Sequence, residues 1–128
     1  AKKVVAWLAQ RSEVVRLHYP LRESDPGYAV ASRQMSGFGG MVSFVLDVDL
    51  PRAEKFVSAT RLFTLAESLG GVESLIELPA SMTHASIPPD RRKALGIDDG
   101  LVRLSVGIED VDDLLADLDH ALKVALGR

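Results

Sequence analysis

The chain has 128 residues, 47% hydrophobic and 26% charged, with a formal net charge of −3. That length suits one domain, and the composition lies far from the polar signature of disorder. Interspersed acids and bases exclude a single-signed field for nucleic acid or an anionic membrane, absent cysteine excludes disulfides and thiol nucleophiles, and no apolar run approaches the ~20 residues that span a bilayer.

Ala1 opens directly on a helical pattern, with Val4, Val5, Trp7 and Leu8 on one face and Lys2, Lys3 and Gln10 opposite. The abrupt start, without Met or a cleavage-site pattern, predicts a piece of a longer cytoplasmic protein. Val14 to Tyr19 is predicted as a strand, since β-branched and aromatic residues suit a pleated surface and Pro20 cannot donate to a ladder. A loop through Pro26-Gly27 leads to a short predicted helix, Tyr28 to Met35, which Gly37, Gly39 and Gly40 break. The clearest strand is Met41 to Val48, where Val42, Phe44, Leu46 and Val48 alternate with Ser43, Val45 and Asp47. Asp49 and Pro51 then start a helix with the stripe Leu50, Ala53, Phe56 and Val57, ending near Thr60.

Arg61 to Leu65 has strand-like composition, and Ala66 to Gly71 must turn sharply where Gly70 and Gly71 sit together. Val72 to Leu78 fits two helical turns before Pro79, which makes Glu73 and Glu77 solvated helix residues. Ser81 to Ile87 has no period and is predicted irregular. Pro89 to Leu95 forms a small helix stopped by Gly96, and Leu101 to Val106 a strand introduced by Asp98, Asp99 and Gly100. Asp110 caps the last helix, whose apolar stripe includes Leu114, Leu118, Ala121, Leu122 and Ala125, with Gly127 at its end. Helices and strands alternate irregularly, with several connections too short for helical crossovers. The predicted class is therefore α+β: a small, mostly antiparallel sheet with helices packed on one face.

His18, His84 and His120 are scattered and form no His-x-x-x-His pair, so no metal site is predicted, and His120 is a structural histidine. No Gly-x-Gly-x-x-Gly or Gly-x-x-x-x-Gly-Lys element occurs. Strand alternation sets Arg103 and Ser105 opposite Val102 and Leu104. Two readings of Arg103 stay open from the pattern: a solvated arginine, or a clamp whose planar guanidinium holds a carboxylate by two parallel hydrogen bonds. The Glu67-Ser68-Leu69-Gly70 turn is likewise a plain connection or one that aims backbone amides at an anion. Glu109 to Asp113 is a helix cap rather than a calcium site.

The run Phe63-Thr64-Leu65-Ala66-Glu67-Ser68-Leu69-Gly70-Gly71-Val72-Glu73-Ser74-Leu75, then Met82-Thr83-His84-Ala85, then Leu101 to Asp110, resembles the C-terminal signature of the cystathionine gamma-synthase and gamma-lyase family. The likeness extends over essentially the whole chain, including Ser32 to Phe44. It implies a fold-type-I enzyme, usually a homotetramer, that uses pyridoxal 5'-phosphate for γ-elimination or γ-replacement on cystathionine or O-acyl-homoserine. Residues 1–128 would be its single C-terminal substrate-binding domain, with the large domain and the Schiff-base lysine upstream. Lys2, Lys3, Lys55, Lys93 and Lys123 match no cofactor-lysine motif, so none is assigned to catalysis or cofactor binding, and the isolated chain is expected to be inactive.

By the same resemblance Arg103 pairs with the substrate α-carboxylate and Ser68 and Leu69 help position it. Thr83 lies in a loop lining the site, and Glu67 is associated with γ-carbon chemistry and the distal group. Synthase and lyase share these motifs. Methionine gamma-lyase and O-acetylhomoserine sulfhydrylase are neighbouring readings that acidic Glu67 suits less well, and a stand-alone assembly domain is the reading from outside the class.

Overall fold

A computed structural model describes residues 1–128. The alternating segment of the sequence becomes β2 (Met41–Leu46), which lies between β1 (Val14–His18) and β5 (Leu101–Ser105), antiparallel to both. On the far side of β5 lies β4 (Leu75–Glu77), also antiparallel, and β3 (Thr64–Leu65) closes the sheet parallel to β4. The order is β1-β2-β5-β4-β3, so the sheet is mostly antiparallel, as the irregular alternation and short connections require. The helices are α1 (Lys2–Leu8), α2 (Tyr28–Gln34), α3 (Leu50–Ala59), α4 (Pro89–Ala94) and α5 (Val111–Leu126).

Alternation sends Val42, Phe44 and Leu46 of β2 and Val102 and Leu104 of β5 to one face, where they join a single buried core. Opposite them stand Val4, Val5 and Leu8 of α1, Ala53, Phe56 and Val57 of α3, and Leu114, Leu118 and Ala121 of α5. Phe44 meets Phe56 edge-on at 6.1 Å between ring centroids, the geometry that aromatic quadrupoles favour. The helix ends follow from sequence. The Asp49 side chain accepts from the Arg52 amide at 3.1 Å, and Asp110 accepts from the Asp112 and Asp113 amides at 2.8 and 3.3 Å. Gly127 ends α5 in the left-handed region, at φ 69°.

One element differs in kind from the sequence expectation. Val72 to Leu78 forms no helix: Leu75–Glu77 is strand β4, and Ser74 to Ala80 are all buried. The spacing of Val72, Leu75 and Ile76 imitates a helical stripe. A three-residue strand covered on both faces offers no alternation to contradict it. Elsewhere boundaries move by a few residues, most at β3, which keeps only Thr64–Leu65 of the expected Arg61 to Leu65.

Two glycines are required by close backbone approach. A Cβ on Gly100 would fall onto the Leu46 carbonyl oxygen, and one on Gly107 onto that of Val72. The second of these seats the end of β5 against the turn that follows β3.

Candidate functional site

The sheet face away from the core carries the polar row. Register places Ser43 opposite Arg103 across β2 and β5, and Arg103 opposite Glu77 across β5 and β4. Arg103 is neither solvated freely nor sealed: its side chain keeps 23% of its surface, whereas that of Glu77 keeps 1%. Nη2 of Arg103 lies 2.8 Å from Oε2 of Glu77, an ion pair without hydrogen-bond alignment. The same nitrogen donates to the carbonyl oxygens of Glu67 at 2.7 Å and Ser68 at 3.4 Å. All polar contacts of the guanidinium run through Nη2, which leaves Nη1 and Nε without protein partners.

The five residues singled out in the sequence are therefore placed unequally. Glu67 and Ser68 reach Arg103 through main-chain carbonyls, and the Glu67 side chain faces solvent. Leu69 is adjacent in the chain but half exposed and makes no polar contact with Arg103. Thr83, in the turn segment after β4, donates its hydroxyl to Oε1 of Glu77 and lies 2.8 Å from Nδ1 of His84. Thr83 thus meets Arg103 only by way of Glu77. That acid, expected to be solvated on a helix, is instead buried at the centre of the site, because it belongs to a strand whose opposite neighbour is Arg103.

Two further links hold the turn over β5. The Gly70 amide, on a residue at φ 78°, donates to the Ser105 hydroxyl at 2.8 Å. Glu109 accepts from the Ser74 amide at 2.7 Å and from the Ser74 hydroxyl at 2.8 Å, and that hydroxyl in turn accepts from the Gly107 amide at 2.9 Å. Burial pushes the Glu109 carboxyl up, but the Ser74 amide, its own backbone amide and the Ser74 hydroxyl outweigh this and hold it below the usual carboxylate range. Ser105, Ser74 and Glu109 carried no separate signal in the sequence beyond the motif that contains them.

What the arrangement can do is meet an anion. With Nη2 taken by protein oxygens, the N–H groups of Nη1 and Nε are free to donate to a carboxylate. No lysine joins it: Lys2 and Lys3 lie on α1, Lys55 on α3 and Lys123 on α5, while Lys93 borders a different cleft. That cleft, of about 410 Å³, is lined by Val45, Asp47, Asp98 and α4 residues and does not include Arg103. It is open and charged, with its Arg16 and Asp98 side chains paired to each other, so volume alone does not make it the site. The residues around Arg103 do not by themselves fit an aldehyde cofactor, which needs an amine to hold it.

Comparisons with known proteins identify the family of the chain. The profile of the Cys/Met metabolism PLP-dependent enzymes matches residues 1–123. A cystathionine beta-lyase of Lactococcus lactis subsp. cremoris is 53% identical over 123 residues, which cover 96% of this chain and 32% of the relative. Among solved structures, cystathionine gamma-lyase from Lactobacillus plantarum, complexed with L-serine, superposes with a TM-score of 0.89 at 44% identity, over 98% of this chain and 33% of that one. Cystathionine gamma synthase from Xanthomonas oryzae pv. oryzae, in complex with aminoacrylate and cysteine, superposes with a TM-score of 0.89 at 48% identity, over 99% and 33%. The chain spans about a third of the length of the relatives it matches. On its sequence over nearly its full length, and on its fold, this chain belongs to the Cys/Met metabolism PLP-dependent enzyme family.

Proposed function

We propose that residues 1–128 form the substrate-gripping C-terminal domain of a pyridoxal-phosphate transsulfuration enzyme that acts on cystathionine or O-acyl-homoserine. The observation that carries this reading is the half-committed Arg103: Nη2 is tied to Glu67, Ser68 and Glu77, and the N–H groups of Nη1 and Nε are left for a substrate α-carboxylate. Ser68 and Leu69 shape the turn beside it, Thr83 supports it through Glu77, and Glu67 presents an exposed acid for the distal part of the substrate. The large domain supplies the cofactor and its lysine; when bound, that cofactor is the electron sink for carbanions formed on the substrate. Arg103 contributes orientation. A carboxylate gripped by two donors fixes the rotation about the adjacent bond, which decides which bond at Cα stands in line to break.

Exposed Val72 and Ile108 support a large-domain partner. They are 66% and 82% exposed, and an Ile108 to Val72 backbone hydrogen bond of 3.0 Å joins them at the edge of the turn. A homotetramer working in the cytoplasm, with neither nucleic acid nor membrane as partner, completes the reading. The choice among γ-elimination, γ-replacement and β-elimination is left to the large domain, since relatives carrying the beta-lyase, gamma-lyase and gamma-synthase names all resemble this chain closely.

The test is Arg103→Lys in the full-length enzyme, which keeps the charge and removes the fork. The expected result is a fall in kcat/KM of roughly thirty- to several-thousand-fold for an α-amino acid substrate, with the thermal midpoint of the apoenzyme nearly unchanged. Unaltered kinetics would reject the grip.

A further inference from the structure

A carboxylate with 1% of its side-chain surface exposed is strongly destabilising unless it is paired, so its place in the fold needs a reason. Glu77 has two polar partners: Thr83 donates to Oε1, and the Arg103 guanidinium faces Oε2. Glu77 and Arg103 are direct cross-strand partners in the antiparallel ladder, where Cβ atoms stand only ~5 Å apart. The ion pair is therefore built into the register of β4 on β5. It does not depend on two long side chains happening to meet at the surface.

The Glu77 carboxylate and the Glu67 and Ser68 carbonyls all meet Arg103 at the same nitrogen, Nη2. Two accepting carbonyls and one carboxylate oxygen around one nitrogen pin that end of the guanidinium and restrict its turning. The N–H groups of Nη1 and Nε are left without protein acceptors. Without Glu77, the two carbonyls would still attract Arg103 but would leave its plane freer to turn, and that plane decides where the remaining N–H groups point. Thr83 holds the other oxygen of Glu77, so the acid itself cannot rotate away from the arginine.

We infer that Glu77 is a positioning residue: steadied by Thr83, it orients Arg103 so that the guanidinium's free N–H groups meet the substrate carboxylate. This rests on the reading of Arg103 as the carboxylate's partner, and it assigns to Thr83 an indirect part through Glu77.

The experiment uses the full-length holoenzyme with Glu77→Gln, Glu77→Asp and Arg103→Ala, and combines each Glu77 change with Arg103→Ala. The readouts are kcat and KM for an α-amino acid substrate, and Kd for a substrate-like inhibitor and its carboxamide. Glu77→Gln keeps size and an acceptor for Thr83 but removes the charge. It is expected to raise KM and the inhibitor Kd by about 10- to 100-fold, the usual effect of removing a partner that orients a ligand-binding group. The fall in kcat should be smaller and the carboxamide Kd nearly unchanged, a split that general loosening of the fold would not give. Glu77→Asp, which keeps the charge, should recover part of the loss, and both effects should disappear when Arg103 is Ala. An unchanged KM in Glu77→Gln overturns the inference, and so does an undiminished effect in the Arg103→Ala background. If Glu77→Gln does not fold, Glu77→Asp decides: a raised inhibitor Kd that vanishes without Arg103 supports the inference, and a wild-type Kd overturns it. Wild-type kinetics in Arg103→Ala would instead remove the carboxylate grip itself.

Discussion

Glu109 ties the turn after β3 to the end of β5 through charge-assisted hydrogen bonds, so its contribution to stability depends on pH in a defined direction. Its folded-state pKa lies below the ordinary 4.5, because bonds from Ser74 and its own amide outweigh burial. The unfolded chain therefore takes up the proton first. The stabilisation is fully present above the unfolded value and is lost as pH falls through the folded one. Glu109→Gln is expected to melt lower than the wild type near neutral pH, with the gap narrowing as both are titrated below about pH 4.5. Thermal midpoints of the two proteins from pH 7 to pH 3 check this, and a constant gap would remove the charge from the explanation. At this scale the sequence was informative where residue type and alternation coincide, as for Arg103 on the face opposite Val102 and Leu104. It was uninformative for Glu77. One acid in an apolar run has the same signature on a solvated helix as in a strand whose neighbour supplies the counter-charge, and only register separates the two.

Among the elements, α5 does more than cover the sheet. Its buried Asp117 accepts from the backbone amides of Arg61, Leu62 and Phe63 at 2.8, 2.9 and 3.1 Å, and so fixes the turn between α3 and β3. Asp117→Ala leaves three amides without their acceptor. It is expected to cost on the order of 3 kcal/mol, since an unsatisfied buried donor costs about 1 to 3 kcal/mol and water will reach some of them. A urea melt of the wild type and variant measures it, and a change under about 0.5 kcal/mol, the ordinary effect of a surface substitution, would show that Asp117 is dispensable. The long elements were legible because each carries its own period and caps: β2 by alternation, α3 by Asp49 and Pro51, α5 by Asp110 and Gly127. β4 was not, and β3 only as a longer strand, since strands of two and three residues are defined by their neighbours rather than by their own pattern. Their parallel pairing was likewise invisible, because it depends on how the Ala66 to Ser74 turn crosses the end of β5.

For the whole molecule, the decisive property is that no lysine stands near the proposed grip: the lysines lie on helices of the core side or beside another cleft. The isolated chain mixed with pyridoxal phosphate is therefore expected to show no stoichiometric lysine-linked absorption band and no turnover. A band that resists dilution and maps to one lysine would contradict the assignment of the cofactor to the large domain. The shared Nη2 of Arg103 has one more consequence, for turnover. On the proposed reading the α-carboxylate is untouched by the chemistry and is still present on the departing product, so a grip of full strength would retard release as much as it aided capture. Because Arg103 meets every incoming carboxylate with Glu77 already at its side, part of its charge is neutralised in advance. On the proposed reading the orientation that Glu77 gives Arg103 outweighs the charge it cancels, so a ligand is held by angle more than by net attraction.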